Sequence, residues 1–253
     1  MNELEFLINY LIAERNGSEN ITIPKNEKDA FDLFRALVNV RPPKAVTEEF
    51  LTVQDRYLKR KLREKGITDH NSLREKEHGI YLWQGDITTL KCGAIVNAAN
   101  SAMLGCFFPC HGCIDNAIHT FAGVQLRLEC AEIMNRQGHD EPVGQAKITN
   151  SYDLPCDKVI HTVGPYVSGK LTEKNIGDLQ SCYRECLKLA AENNIKSIAF
   201  CCISTGEFHF PNEKAAETAV KTVRKFLNTN KEIKVIFNVF KNSDLKIYEK
   251  LLG

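Results

Sequence analysis

"GIYLWQGDITTLKCGAIVNAAN", residues 79–100, is where the chain changes character. Before it, apolar residues recur at helical spacing. Within it, "GIYLWQGDI" and "AIVNAAN" read as two short apolar strands, the first ending in a Gly-Asp turn. Beyond it the two patterns alternate: "TFAGVQLRLECAEIMNRQ" as helix, "QAKITNSYDL" and "KVIHTVGP" as strands, "IGDLQSCYRECLKLAAENNI" as a long amphipathic helix. "SIAFCCIS" (strand), "PNEKAAETAVKTVRKFLNTN" (helix), "KVIFNVF" (strand) and "SDLKIYEKLLG" (helix) complete the chain. Near-continuous hydrophobic strands separated by helices predict an α/β sandwich around a mostly parallel or mixed sheet.

Working back from residue 79, residues 1–76 read as a helical N-terminal extension to a sheet unit spanning 77–253. "LEFLINYLIAE" is apolar at Leu4, Phe6, Leu7, Tyr10, Leu11 and Ile12. "NEKDAFDLFRALVNV" begins at a capping Asn26 and carries Phe31, Leu33, Phe34 and Leu37 on one side. "RPPK" interrupts the pattern. "TEEFLTVQDRYLKRKLREKG" resumes it and closes at Gly66. The basic run KRKLREK reads as a solvated helix face.

Composition excludes several classes of function. The 253 residues are 43% hydrophobic and 26% charged, with a net charge of +1. That balance fits a globular chain with a real core and gives no electrostatic reason for a nucleic-acid partner. No stretch approaches the roughly 18 apolar residues of a membrane span. The start "MNELEFLINYLIAERNGSEN" has neither a cationic opening nor a small-residue cleavage site. A cytoplasmic location follows as the expectation, with the ten cysteines as reduced thiols. Cys182, Cys186, Cys201 and Cys202 lie inside helix and strand patterns and read as packing residues.

In sheets of this kind ligands bind beyond the carboxyl ends of the strands. The polar clusters fall there: Asp86 after "YLWQG", Asn97 and Asn100 after "AIV", "VGPY" after "VIHT", and "STGEF" (204–208) after "FCCI". In "ISTGEFHFP" a strand runs through Ser-Thr-Gly towards a helix, which offers backbone N–H groups to an anion. Between strand and helix, "GCFFPCHGCIDNAIH" (105–119) gathers Cys106, Cys110, His111 and Cys113 within eight residues. Cysteine and histidine are zinc ligands, and three protein ligands leave a fourth position open for water or substrate. Cys110 and His111 are adjacent and tend to point apart, so Cys106, His111 and Cys113 form the easier set. A Cys110/Cys113 dithiol, a closed four-ligand zinc site and a merely apolar loop are the competing readings. Asp115 follows as general base, ribose ligand or helix cap.

Taken in order, "GDIT" (85–88), "AIVNAAN" (94–100), "IDNAIH" (114–119), "GQAKIT" (144–149), "VIHTVGP" (159–165) and "ISTGEF" (203–208) resemble the macrodomain family of ADP-ribose-binding modules. The resemblance covers about residues 79–253. The glycine-rich run that usually precedes the "IDNAIH" element is replaced here by "CFFPCHGC". In that departure, and in its helical extension, the chain resembles the zinc-containing class of microbial protein-ADP-ribose hydrolases. The fold implied is a three-layer α/β/α sandwich with a mixed, mostly parallel sheet. The activity implied is zinc-dependent removal of mono-ADP-ribose from modified proteins. A non-catalytic ADP-ribose reader and an O-acetyl-ADP-ribose deacetylase are the alternatives that need the same pocket.

By position, the resemblance implies that Asp86 and the Ile87 amide recognise adenine and that Phe240 stacks on it. Asn100 and Asp115, with Ile114 between metal loop and helix, would face the distal ribose as the catalytic pair. Ser204, Thr205, Gly206, Glu207 and Phe208 would wrap the diphosphate, and Cys106, His111 and Cys113 would hold Zn²⁺. The implied partners are ADP-ribose and an ADP-ribosylated protein, such as a lipoyl-carrier protein modified by a sirtuin-type transferase. Neither nucleic acid nor membrane is expected.

Overall fold

The computed structural model describes residues 2–15 and 21–253; residues 1 and 16–20 of the sequence-defined extension lie outside it. Its elements in chain order are α1 (Glu3–Ala13), α2 (Glu27–Val40), α3 (Glu48–Lys65), β1 (Thr68–Asp69), β2 (Glu75–Glu77), β3 (Ile80–Gln84), β4 (Leu90–Lys91) and β5 (Ala94–Ala99). Then come α4 (Ile114–Ala122), α5 (Val124–Gln137), β6 (Ala146–Asn150), β7 (Lys158–Val163), α6 (Glu173–Glu192), β8 (Ser197–Phe200), α7 (Asn212–Leu227), β9 (Lys234–Val239) and α8 (Asn242–Leu252).

Seven strands form one sheet in the order β2-β3-β9-β8-β5-β7-β6. The five inner strands run parallel, while β2 and β6 pair antiparallel at the two edges. The sheet is therefore mixed and mostly parallel. β5, β7, β8 and β9 are buried along almost their whole length, as expected for strands covered on both faces. The crossovers β7-α6-β8 and β8-α7-β9 step in the same direction along the sheet, so right-handed connection puts α6 and α7 on one face. α4 and α5 leave β5 in the opposite direction and cover the other face.

The extension packs on the α4/α5 face. Asn2, Asn26 and Thr47 each accept a hydrogen bond from a first-turn amide and so cap α1, α2 and α3. Leu7, Ile8, Phe34, Phe50, Leu58 and Leu62 are buried in the same apolar cluster that holds the sheet. Phe31 of α2 lies 5.8 Å from Phe121 of α4, ring centre to ring centre. The extension is thus part of the core. Among the described residues no helix is long and apolar enough to cross a membrane.

Two local readings need correction. The third helix ends at Gly66 as expected, at φ +88°, but the rest of the extension to residue 76 is not helical: Thr68–Asp69 pairs with β4, and Glu75–Glu77 adds to the sheet edge. An "EKE" triplet carries no strand pattern of its own, and the pairing comes from the turn at Gly79, where φ is +75°. The second correction is that "TFAGVQLRLECAEIMNRQ" belongs to two helices, not one. Gly123, at φ +89°, separates α4 from α5, and a side chain there would collide with Gln54 Nε2 at 2.5 Å. Gln54 Oε1 accepts from the Val124 amide at 3.0 Å, so α3 supplies the cap that α5 lacks locally.

Asp153 marks the same seam. Its carboxylate is buried, sits 3.2 Å from Lys59 Nζ, and faces the like charge of Asp55. Burial first, then Asp55, pushes it up to about 7 from an ordinary 3.8. A raised folded-state pKa contributes stability that is fully present below the unfolded value, near pH 4, and lost as pH rises through 7. Asp153→Asn is therefore expected to stabilise the protein at pH 8, by about 2–4 kcal/mol at roughly 1.4 kcal/mol per unit. The gain should shrink to nothing near pH 4. Urea unfolding at the two pH values measures both.

Candidate active site

At one end of the sheet, the chain leaves β3, β5, β7, β8 and β9 through polar loops. After β3, Asp86 caps a short 3-10 turn. Its Oδ1 accepts from the Thr88 amide at 3.0 Å and from Thr88 Oγ1 at 2.6 Å. Its Oδ2 pairs with Lys65 at the end of α3. Those partners hold its carboxyl below the usual range against the burial that would raise it. Ile87 is buried beside it. β9 runs alongside β3, with Gln84 opposite Val239, so Phe240 emerges at the same edge as Asp86 and is 74% exposed. An uncovered aromatic ring at the same end of the sheet as a carboxylate suits a planar base.

After β8 the chain makes a tight turn. Ser204 takes φ +64°, uncommon for a residue with a side chain, and is fixed there by two neighbours. The Phe210 amide donates to its carbonyl at 2.9 Å, and Gly164, at the end of β7, leaves the only room for its hydroxyl: a side chain at 164 would sit 2.0 Å from Ser204 Oγ. Ser204 Oγ is buried and has no hydrogen-bond partner among the described residues. The Thr205–Phe208 segment follows, tied to the "VGPY" loop where the Val167 amide donates to Phe208 O at 2.9 Å.

Asn97 and Asn100 sit at the end of β5. The Asn97 amide group donates to Asp115 Oδ1 at 2.8 Å, and that of Asn100 to Asp115 Oδ2 at 3.4 Å and to Gly105 O at 3.1 Å. Asp115 lies in the first turn of α4 and is almost wholly buried. Desolvation pushes its carboxyl up to about 6, opposed by the Asn97 hydrogen bond and by Arg127. Asp115 is not the helix cap. Cys113 is, its Sγ accepting from the Asn116 amide at 3.4 Å.

Between Asn100 and Asp115 runs the cysteine loop. The ligand atoms of Cys106, His111 and Cys113 all lie within 4.8 Å of one another. Cys106 Sγ is 3.7 Å from His111 Nδ1. Zinc bonds of about 2.3 Å to sulfur and about 2.0 Å to nitrogen put neighbouring tetrahedral S and N ligands roughly 3.5 Å apart, so the spacing fits the ion. The donor set fits as well: two soft sulfurs and an imidazole. Burial raises the Cys113 thiol to about 12, and the neighbouring Cys106 adds to it. His111 Nε2 faces Glu207 Oε1 at 3.7 Å, which brings the cysteine loop against the Ser204–Phe208 turn.

Cys110 stands apart. It is turned out at φ +53°, and its thiol donates to Asp32 O at 3.2 Å. A four-ligand shell and a Cys110/Cys113 dithiol therefore have no support in the geometry. A second group, His119, Cys130 and His161, is fully buried in the core. His161 is already satisfied there. Asn97 Nδ2 lies 3.1 Å from its Nδ1 and Thr149 Oγ1 lies 2.9 Å from its Nε2, which leaves no free lone pair for a cation.

Sequence reasoning found most of these residues and missed others. Asn97 was visible as a polar residue at a strand end, but its hold on Asp115 was not. Lys65 ends the basic run expected to be a solvated helix face, yet it pairs with Asp86; Asn116 gives no signal of its partners, and Glu207 faces His111, an anion being better served by the backbone of that loop than by a carboxylate.

The Macro domain family model matches residues 96–219. Over 253 aligned residues the chain is 54% identical to "Protein-ADP-ribose hydrolase" of Treponema medium, covering 98% of this chain and 97% of the relative. It is 50% identical over 250 residues to the protein of the same name from Staphylococcus aureus strain MSSA476, covering 98% and 94%. Among solved structures, the Trypanosoma brucei macrodomain in complex with ADP-ribose superposes with a TM-score of 0.67 at 30% identity, covering 87% of this chain and 95% of that one. The Oceanobacillus iheyensis macrodomain superposes at 0.64 and 34%, covering 70% and 93%.

Proposed function

The chain belongs to the macro domain family, and on that premise we propose that it is a protein-ADP-ribose hydrolase that frees mono-ADP-ribose from modified side chains at a zinc centre held by Cys106, His111 and Cys113. One observation carries the reading: three metal-binding atoms within 4.8 Å of one another adjoin the helix turn that bears Asp115. A domain that only binds ADP-ribose has no use for three ligands at that place. Zinc, when bound, supplies Lewis acidity and a fixed point for an oxygen beside the distal ribose.

The remaining work falls to the chain's own residues. Phe240 and Asp86 receive the adenine, and the Ile87 amide completes that end. The Ser204–Phe208 backbone wraps the diphosphate, a grip that needs no net positive charge. Asn97 and Asn100 point their N–H groups at Asp115 and so fix both its oxygens. Asp115, so fixed, orients the attacking water or the adjoining ribose hydroxyl at the bond to be cut. The substrate is a mono-ADP-ribosylated protein in a reducing, cytoplasmic setting. A lipoyl-carrier protein modified by a sirtuin-type transferase is the first to present.

Incubation with a mono-ADP-ribosylated protein, with and without a chelator, tests the proposal. Free ADP-ribose should appear, stop on chelation and resume on adding Zn²⁺. Tight ADP-ribose binding without release would make the chain a reader. Release untouched by a chelator that strips the protein would remove zinc from the reaction, and turnover confined to O-acetyl-ADP-ribose would make it a deacetylase.

A further inference from the structure

The cysteine loop is held from outside the macrodomain fold. Residues 106–113 contain no helix or strand, and Cys110 is strained to φ +53°. Such a segment does not keep three ligand atoms together unaided. Its anchors come from α2, on the extension. Arg35 Nη2 donates to His111 O at 2.7 Å and to Asn116 Oδ1 at 2.6 Å, and Arg35 Nε donates to the same Asn116 oxygen at 3.0 Å. One guanidinium thus grips the backbone of one metal-binding residue and a side chain next to another.

Asn116 carries that grip inward. It is wholly buried, its Nδ2 donates to Phe108 O at 3.0 Å, and its backbone amide donates to Cys113 Sγ at 3.4 Å. One turn further along α2, buried Asn39 accepts from the Cys110 amide at 2.9 Å and donates to Thr120 Oγ1 of α4 at 3.1 Å. The two residues face the same way, four apart on the helix. They meet the loop at both sides of its turn.

We infer that Arg35 and Asn39 of α2 are positioning residues for the metal-binding loop, so that the helical extension is a working part of the site as well as of the core. The inference rests on the zinc reading above. The sulfur and nitrogen donors are brought close before an ion arrives, and the affinity of the site depends on a fork that touches neither ion nor substrate. The planar guanidinium matters here for its geometry: Nη2 reaches both oxygens while Nε holds the same Asn116 oxygen in a rigid fork, which a flexible ammonium does not reproduce.

The test measures zinc affinity of the full chain by competition with a chromophoric chelator, beside the thermal midpoint of the metal-free protein. Arg35→Ala should bind zinc about 10- to 100-fold more weakly, the usual consequence of losing an outer partner of a ligand. Cobalt substituted for zinc should show an altered visible spectrum. Arg35→Lys keeps the charge and much of the volume, and should fall between wild type and Arg35→Ala; it decides the matter if Arg35→Ala does not fold. Lys28→Ala, exposed on the same helix, should match wild type. Wild-type zinc affinity and cobalt spectrum in both Arg35 variants would overturn the inference and leave the zinc centre standing. Failure of the wild-type chain to bind zinc at all would overturn both.

Discussion

A Cys113→Ser protein is expected to fold normally, bind zinc roughly 10²- to 10³-fold more weakly, and release no measurable ADP-ribose. Cys113 does two things at once. Its Sγ belongs to the three-ligand group, and it also caps α4 by accepting from the Asn116 amide. Serine separates the two roles, since its hydroxyl is among the preferred helix caps and a poor zinc ligand. The magnitude follows from apparent zinc-binding energies of about 10–16 kcal/mol over four ligands, which makes each ligand worth about 2.5–4 kcal/mol. Alanine at the same position also removes the cap, at a further cost of about 1 kcal/mol. Without metal, Cys113→Ser should therefore be at least as stable as Cys113→Ala and close to wild type. With metal at a concentration that just saturates wild type, wild type should gain far more thermal stability than either variant, because a ligand that binds the native state alone raises its midpoint by more the tighter it binds. Bound zinc per chain, thermal midpoints with and without the ion, and the release assay give the three readings. A serine variant that loses zinc yet keeps turning over would show that the metal is structural.

That Cys113 is a candidate ligand was legible in the sequence; that it caps a helix was not. The difference is one of range. Donor identity and close spacing are local, so Cys106, His111 and Cys113 stand out within eight residues, while a dithiol, a closed four-ligand site and an apolar loop stayed open beside them. The buried strands are legible for a similar reason: "AIV" and "KVIHTV" leave no polar face, which only a sheet covered on both sides explains. Most of the failures involve partners distant in the chain. Arg35 and Asn116 are 81 residues apart, and nothing near either one predicts their pairing. Gly123 looked like an ordinary glycine within a helical pattern until Gln54, 69 positions earlier, was seen filling the space above it. The "EKE" triplet became a strand because β3 was there to pair with it, not because of its own residues. Asp86, expected at the adenine end, is engaged by Lys65 from the extension. Residues 1–76 carry no catalytic signature, yet three of these unread contacts, from Arg35, Gln54 and Lys65, originate there.

Asp115→Ala should lower kcat by about 10²- to 10⁴-fold, the range a positioned acid or base supplies, while ADP-ribose binds within about tenfold of wild type. The carboxylate is nearly inaccessible, and its oxygens already accept from Asn97 and Asn100, with His119 Nε2 3.5 Å from Oδ1. A group fixed on so many sides has lost its own freedom before substrate arrives, which is how a side chain contributes orientation rather than mere affinity. The structural objection is real: truncation leaves the Asn97 amide, buried in the sheet, without its acceptor, at about 1–3 kcal/mol. Stability and turnover must therefore be read separately. Asn97→Ala supplies the comparison, because it disturbs the same hydrogen bond from the other side and leaves the carboxylate in place. If Asp115 acts on the substrate, Asp115→Ala and Asn97→Ala lose similar stability, yet the aspartate variant loses far more kcat. Equal losses of kcat at equal stability would make Asp115 a strut of the β5–α4 junction. Asp115→Asn sharpens the contrast further. It matches the shape but must turn an N–H₂ group towards one of two donors, Asn97 or Asn100, so it should fold less well than its size suggests and remain as inactive as the alanine variant.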